Sequence, residues 1–177
     1  MWRAFFVEQK DTDFFFVGGM IAMILGLVAL FLLTYSALVN KRIKKAEVIL
    51  GSRQAGPGEK IPFSLTFEAN IPFQVDKIRA TLRGKEIVDF FSSKNKKRLS
   101  HCLYENRQEL PLAVKQVPAR VPIRVEGEVL IPDGVPCSMS LVELRNEMAI
   151  KWEIEFVIEM KKWPDWIHFE DIAVQYF

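Results

Sequence analysis

Hydrophobic residues follow two different patterns along this chain. Residues 14–39 form a single run without a charged side chain, FFFVGGMIAMILGLVALFLLTYSALV. Roughly 20 apolar residues in a helix cross the ~30 Å hydrocarbon core of a bilayer, and this run lacks the polar face of a surface helix. The pattern therefore predicts a transmembrane helix over residues 14–39.

From residue 46 onward, apolar residues alternate with polar ones, as in strands with one buried and one solvated side. The clearest alternation covers 61–68, 77–83, 121–131 and 150–160, with shorter strands predicted at Glu47–Leu50, Glu86–Phe91, Leu99–Arg107 and Ile167–Tyr176. Turn-forming residues mark 55–58, 83–85, 92–95 and 132–134, and only Leu141–Met148 has a pattern that allows a short helical turn. Such strands need a second sheet over their apolar side, which predicts an antiparallel β-sandwich.

A secretory signal peptide is the alternative interpretation of the N-terminal run. Its apolar stretch would be about 7–15 residues long behind a basic leader. Here the leader, residues 1–13, contains three acidic and two basic residues, and the apolar run is longer. Small residues around Ser36 and Ala37 resemble a cleavage site, so the pattern alone leaves this alternative open. The length of the run favours an anchor.

Basic residues follow the apolar run directly. Lys41, Arg42, Lys44 and Lys45 lie in a predicted juxtamembrane linker, residues 40–45. Because an excess of Lys and Arg marks the cytoplasmic side, the domain after residue 45 is expected in the cytoplasm and the N-terminus outside the cell membrane, either inner or plasma membrane. The two cysteines show no disulfide framework, which agrees with reduced thiols.

Aromatic residues flank the apolar run on both sides. Trp2, Phe5 and Phe6 lie in the predicted interfacial segment 1–13, and Tyr35 lies near the other boundary. Trp, Tyr and similar rings are enriched where membrane meets water. These four residues are therefore predicted to contact the membrane interface.

Small residues recur within the run at Gly18, Ala22 and Gly26, which share one face of a helix. Such a stripe allows close approach of another membrane helix; alternatively, glycine and alanine are simply common in these helices. Residues 14–39 contain no His, Asp, Glu, Lys or Arg, so the sequence predicts neither a usual axial ligand nor a proton relay there.

Composition narrows the possible functions. The chain has 177 residues, 50% of them hydrophobic, and a formal net charge of +2. That length excludes a multidomain enzyme, and a charge near zero gives no reason to expect nucleic acid as a partner.

Candidate catalytic or metal-binding residues are few. His101 and Cys102 are adjacent, but neighbouring strand residues point to opposite faces, and a four-ligand zinc site would need most of the Cys and His in the chain. The preferred interpretation is a buried cysteine beside a half-exposed histidine. Asp165 follows a proline and is expected to cap a turn rather than to form an acidic site. No catalytic, metal or cofactor site is predicted.

Two surface features remain as candidate contacts. The predicted loop 92–98 contains Lys94, Lys96, Lys97 and Arg98, which suit anionic lipid or an acidic partner; alternatively, they form a solvated loop that prevents edge pairing. Trp163 and Trp166 flank a proline in a turn. They are either interface anchors or a corner of the sandwich core.

The order of these strands resembles an arrestin-like domain, the immunoglobulin-like sandwich of arrestins, retromer-type sorting subunits and bacterial relatives. The resemblance covers residues 46–177 as a single lobe, like the N-terminal one of the two in arrestins. It depends on short segments: the Gly56-Pro57-Gly58 turn, Leu82–Glu86, Ile131–Ser138, Ile150–Ile154 and Lys161–Trp166.

The resemblance implies a binding platform and no catalyst. Receptor recognition is not implied, because the chain has a predicted anchor and no second lobe. We therefore expect a non-catalytic, single-pass accessory or scaffolding subunit of a larger membrane complex, for example a respiratory or photosynthetic one, with integral membrane subunits and the bilayer as partners. The alternative is a membrane-tethered adaptor that recruits cytosolic proteins.

Overall fold

The computed structural model describes residues 5–91, 96–112, 115–143 and 146–176. The chain divides into two compact units, Met1–Asn40 and Lys41–Phe177. The described ranges contain helix α1 (Phe5–Arg42) and strands β1 (Ile43–Leu50), β2 (Gln54–Ala55), β3 (Lys60–Ala69), β4 (Phe73–Phe91), β5 (Lys96–Leu110), β6 (Gln116–Val117), β7 (Pro122–Leu130), β8 (Met139–Glu143), β9 (Asn146–Met160) and β10 (Trp166–Val174).

A single N-terminal helix is present, as predicted, and it is longer than the apolar run. α1 has 38 residues and includes much of the leader as well as Lys41 and Arg42, since no proline interrupts it. The two basic residues in its last turn interact favourably with the helix dipole. Among the residues that the structure describes, no helix meets the length and hydropathy required of a membrane span.

Large apolar side chains of α1 are exposed from residue 20 to residue 33. They are Met20, Ile21, Met23, Ile24, Leu25, Leu27, Val28, Leu30, Phe31, Leu32 and Leu33, with exposed fractions of 48–71%. Over four turns they cover every side of the helix. Thr34 keeps its hydroxyl satisfied by donating to the carbonyl oxygens of Leu30 and Phe31, at 2.9 Å each.

The basic residues that were predicted as a linker instead belong to regular structure. Lys41 and Arg42 end α1, and Ile43–Lys45 begin β1. The Asn70 N–H donates to the Arg42 carbonyl at 2.7 Å, and Ile43 pairs with Ala69 at the end of β3. Residues 41–45 are therefore helical or extended.

Two sheets form most of the described residues after α1. The small sheet has the antiparallel order β1-β3-β7, and the large sheet has the order β2-β10-β9-β4-β5, with β6 pairing with β4 and β8 with β9. Most pairs in the large sheet are antiparallel, while β10 and β2 are parallel. The predicted mainly-β, sandwich-like architecture is thus confirmed.

The core lies between the sheets and consists of the residues that alternate in the sequence. In β3 the buried residues include Ile61, Leu65 and Phe67, and in β9 they include Trp152 and Ile154. The Phe63 and Phe156 rings meet edge to face with their centroids 4.9 Å apart, a favourable aromatic geometry. The period-two pattern therefore identified the buried side of β3, β7, β9 and the first part of β4.

The turn predicted at 83–85 is wrong, because β4 continues through it. Gly84 pairs with Tyr104 on one side and Trp152 on the other. A Cβ atom at Gly84 would lie 2.7 Å from Cη2 of Trp152. This glycine therefore makes space for the indole ring against the strand and does not reverse the chain.

The short helical turn allowed at 141–148 is also wrong. β8 ends at Glu143 and β9 begins at Asn146, and the two strands pair with Leu141 opposite Met148. Apolar residues on one side of this pair explain why extended structure is preferred to a helix.

Two predicted turns are confirmed, and a third cannot be compared. Gly58 and Gly134 have φ values of 81° and 72°, in the left-handed region that glycine adopts without a Cβ penalty. The predicted turn at 92–95 lies outside the described residues.

Candidate interaction surface

The large sheet extends its apolar inner side beyond the buried core. On β4, Ile78, Ala80 and Leu82 are at most 1% exposed, whereas Phe90 on the same side is 41% exposed. Residues two apart share a side of a strand, so the side that faces the core near Ile78 becomes open at Phe90.

Four strands contribute to this open region. Leu141, Met148, Val88 and Leu99 lie opposite one another in one continuous row across β8, β9, β4 and β5. The apolar shelf, as we define it, comprises this row together with Phe90 and Met139. Val88 and Met148 are half-buried, while the other members are 41–61% exposed.

Charged side chains border the apolar shelf on β4 and β5. Glu86 lies on the same side of β4 as Phe90. Lys97 lies opposite Phe90 and is exposed. On the other side of the sheet, Arg98 donates from Nε and Nη2 to the two carboxylate oxygens of Asp89, at 2.8 Å each. This hydrogen bonding, with the charge of Asp89, raises the pKa of Arg98. The carboxylate of Asp89 is 2% exposed, so Arg98 pairs with a buried charge on the opposite side from the shelf.

The basic loop predicted from sequence is therefore only partly placed. Lys94 and the side chain of Lys96 lie outside what the structure describes, Lys97 borders the shelf, and Arg98 has a partner in its own sheet. β4 has 19 residues, about 60 Å of extended strand. Phe73 and Phe91 are at its two ends, and the shelf lies toward Phe91.

Arg42 lies toward the opposite end of the same strand. Its guanidinium carbon is 3.8 Å from the centroid of the Trp163 ring, and its Nη1 donates to the Pro72 carbonyl at 3.1 Å. Nε of Arg42 is buried and makes no hydrogen bond within the described residues. Sequence reasoning assigned Arg42 to the membrane interface, but its planar cation packs on the sandwich.

Both tryptophans of the predicted turn are partly buried. Trp163 and Trp166 are half-buried and contact the core cluster, and the Trp166 ring stacks on His168 at 5.5 Å with an interplanar angle of 10°. Asp165 accepts a hydrogen bond from the Met160 N–H at 3.2 Å, which confirms its predicted role in the turn.

Residues predicted to contact the membrane lie in different surroundings. Lys41 is exposed, Lys44 pairs with Glu68 at 3.0 Å, and Lys45 pairs with Glu47 at 3.1 Å. Tyr35 is half-buried, with its ring 6.3 Å from that of Phe31. Three of the predicted contacts are not placed: Trp2 lies outside the described residues, as do the side chains of Phe5 and Phe6.

The predicted helix-packing stripe remains a prediction. A Cβ atom at Gly26 would have no atom within 4 Å, and Ala22 is exposed. The surroundings of Gly18 are outside the described set. Gly26 is therefore open to close approach.

His101 and Cys102 are both exposed, so the interpretation of Cys102 as buried is wrong. The Cys102 thiol donates to the Tyr104 carbonyl oxygen at 3.4 Å. Both cysteines are free, and among the described residues no group of three or more His, Cys, Asp or Glu side chains could hold a metal.

Ion pairs cover the outer side of the large sheet. They join β4 to β5 and β9, and include Arg79–Glu159, Arg83–Glu155, Arg83–Glu105 and Lys85–Glu153. A hydrogen bond from Arg107 lowers the pKa of Glu105. These pairs are half-buried at the surface, and they leave this side of the sheet polar.

One open cleft between the sheets has a volume of about 260 Å³ and lies near β5 and β7. Asn106, Gln108 and the bonded pair Lys60–Glu128 supply its polar groups. Since the two charged groups pair with each other, the cleft presents no free acid or base. The apolar shelf is the better candidate for a binding surface.

Comparisons with known proteins address the fold. No protein-family model matches the sequence, and no curated protein matches it. The crystal structure of Spo0M, the sporulation control protein of Bacillus subtilis, is similar with a TM-score of 0.53 and 13% identity, over 75% of this chain and 49% of that chain. The chain thus spans about half the length of Spo0M.

A second solved structure has lower similarity. AvmM, described as catalysing macrocyclization in alchivemycin A biosynthesis, has a TM-score of 0.45 and 10% identity, over 78% of this chain and 91% of that chain. Spo0M has an arrestin-like fold, so the comparison supports the predicted sandwich at the level of the fold. Neither protein's activity is transferred to this chain.

Proposed function

We propose that this chain is a non-catalytic, membrane-anchored accessory or scaffolding subunit of a larger membrane protein complex. The uncharged run 14–39 and the exposed apolar side chains of α1 support insertion in a bilayer. The basic residues after this run support a cytoplasmic sandwich and an external N-terminus. The proposal depends most on the apolar shelf, which leaves Phe90, Leu99 and Leu141 exposed on a rigid sheet.

The proposed occupant of the shelf is an apolar surface on an integral membrane partner's cytoplasmic face, with an acidic group facing Lys97. Exposed apolar clusters with a polar rim are typical of protein interaction sites, and Lys97 supplies a positive charge at this rim. Most members of the shelf are apolar side chains that are 41–61% exposed, and this favours a protein partner over lipid headgroups at the shelf.

Replacing the apolar run tests the role of α1. The variant exchanges residues 14–39 for an unrelated membrane span of equal length, and the wild-type chain is purified beside it from the native membrane in mild detergent. We expect the wild type to elute as a multi-subunit species and the variant to lose most of its partner chains, because helix packing at Gly18, Ala22 and Gly26 would be removed. Full retention of the partners would instead support the adaptor alternative, and a wild-type monomer would contradict the subunit proposal.

Substitution of Leu141 tests the shelf separately. Leu141→Glu places a charge in the apolar row, and we expect partner retention to fall at least tenfold. Each tenfold corresponds to about 1.4 kcal/mol of binding free energy. Val142→Glu is the matched control, because Val142 is the next residue, is 75% exposed, and lies on the other side of β8. Equal retention by both variants in the same purification would contradict the shelf as the contact.

A further inference from the structure

Strand β10 leaves one of its edges unpaired over most of its length. Trp166–Ile172 pair with β9 on one side, and on the other side β2 pairs only with Ala173 and Val174. Within the described ranges, no strand pairs with this second side between Trp166 and Ile172. We call this segment the free edge.

The direction of the backbone groups follows from the neighbouring hydrogen bonds. The N–H groups of Ala173 and Gln175 donate toward β2, to Arg53 and Ala55, whereas the Val174 N–H donates to the Ser138 hydroxyl on the side of β9. Backbone groups alternate sides along a strand. The N–H and C=O groups of Ile167, Phe169 and Asp171 therefore point outward from the free edge.

The first part of the free edge, Trp166–Phe169, lacks the features that usually prevent pairing with another chain. Edge strands are protected by charged side chains, proline or bulges. The other edge of this sheet, β5, has Lys97, Arg98 and Arg107, and its register shifts opposite Gly84. From Trp166 to Phe169 the free edge has none of these features, and Ile167 and Phe169 are 47% and 52% exposed.

We propose that the free edge pairs with the same segment of a second copy of this chain, antiparallel about a two-fold axis at Phe169. This register places the outward groups of Phe169 opposite those of Phe169 in the second copy, and Ile167 opposite Asp171. All three outward-pointing residues then form hydrogen-bonded pairs. The paired segment, Trp166–Ile172, ends just before the two residues of β10 that pair with β2.

The side chains of the free edge are complementary to themselves in this register. His168 of one copy lies opposite Glu170 of the other, and the reverse contact occurs on the far side of the axis. Hydrogen-bonded and aromatic pairs stabilise facing strands. Glu170 already contacts Arg53 at 2.6 Å and His168 at 2.9 Å within one copy, which holds its carboxylate near the edge. An imidazole facing a carboxylate on both sides of the axis favours a second copy over an unrelated strand.

A cysteine at the two-fold axis tests the pairing directly. Phe169→Cys is introduced into a full-length chain that also carries Cys102→Ser and Cys137→Ser, and the protein is oxidised mildly in its native membrane. Hydrogen-bonded antiparallel residues have Cα atoms about 5.5 Å apart, within the range that a disulfide spans. We expect a covalent dimer to form at least tenfold faster than with the control Ile167→Cys.

The control differs only in distance from the axis. In the proposed register, Ile167 of one copy is four residues away from Ile167 of the other, about 13 Å along the strand, so it cannot link to itself. Co-expressed Ile167→Cys and Asp171→Cys chains are expected to link to each other. Equal rates for Phe169→Cys and Ile167→Cys would overturn the proposal, as would linkage of Phe169→Cys only to a different protein. Because Phe169 is half exposed, these variants leave the core intact.

Discussion

Replacement of Trp152 by alanine is expected to lower the free energy of unfolding of the sandwich by about 3–5 kcal/mol. The Trp152 side chain is 1% exposed, its ring packs against Gly84, and its Nε1 donates to the Pro136 carbonyl at 3.0 Å. The truncation removes this apolar contact, leaves a cavity and deprives the carbonyl of its donor. Urea unfolding of the full chain in detergent, followed by circular dichroism, measures the loss.

A second tryptophan provides the matched control. Trp166→Ala removes a side chain of the same size that is only half-buried in the same unit. Trp166→Ala should lower the free energy of unfolding clearly less, because the Trp166 side chain buries less apolar area on folding. A loss below about 1 kcal/mol for Trp152→Ala, or equal losses for both variants, would contradict the central position of Trp152 in the core.

The same residues show which parts of the fold the sequence could predict. Period-two alternation depends only on which side of a strand is buried, so it identified β3, β7 and β9. The turn prediction failed at Gly84. Glycine promotes turns because its backbone is unrestricted, but it also occurs where another side chain needs the space of a Cβ atom. Here that side chain, Trp152, is almost 70 residues away in the sequence. No local pattern indicates such a contact.

The candidate surface was predicted only in parts. The strands Glu86–Phe91 and Leu99–Arg107 were expected, but their extension beyond the covered core depends on the length of the small sheet. The row from Leu141 to Leu99 also required β8, whose segment was interpreted as a possible helical turn. Exposure of the shelf is thus a tertiary property: apolar alternation looks the same in a covered strand and in an uncovered one.

The charge pattern of the sequence does not indicate that Arg42 packs against the sandwich. Four basic residues after an apolar run fit the rule for cytoplasmic flanks, and that rule treats them as equivalent. The structure separates them, because the guanidinium of Arg42 lies over Trp163 whereas Lys41 is exposed. Arginine suits this position because its planar cation stacks on an aromatic ring while still donating hydrogen bonds.

Replacement of Arg42 by alanine is therefore expected to lower the free energy of unfolding by about 2–3 kcal/mol. The variant loses the stacking on Trp163, at 3.8 Å, and the hydrogen bond to the Pro72 carbonyl, at 3.1 Å. Arg42→Lys keeps the charge but cannot reproduce the flat stacking, so it should recover only part of the loss. Urea unfolding of the full chain in detergent gives these values.

Lys41→Ala is the control, since it removes an equal charge from the adjacent, exposed position. If the basic residues act only through their charge, Lys41→Ala and Arg42→Ala will change stability equally and Arg42→Lys will behave as wild type. If Arg42 acts by packing, Lys41→Ala will be near neutral, because surface substitutions away from such contacts usually change stability by less than about 0.5 kcal/mol. The Arg42 side chain would then both mark the cytoplasmic flank of the proposed anchor and fix the first strand against the turn that contains Trp163.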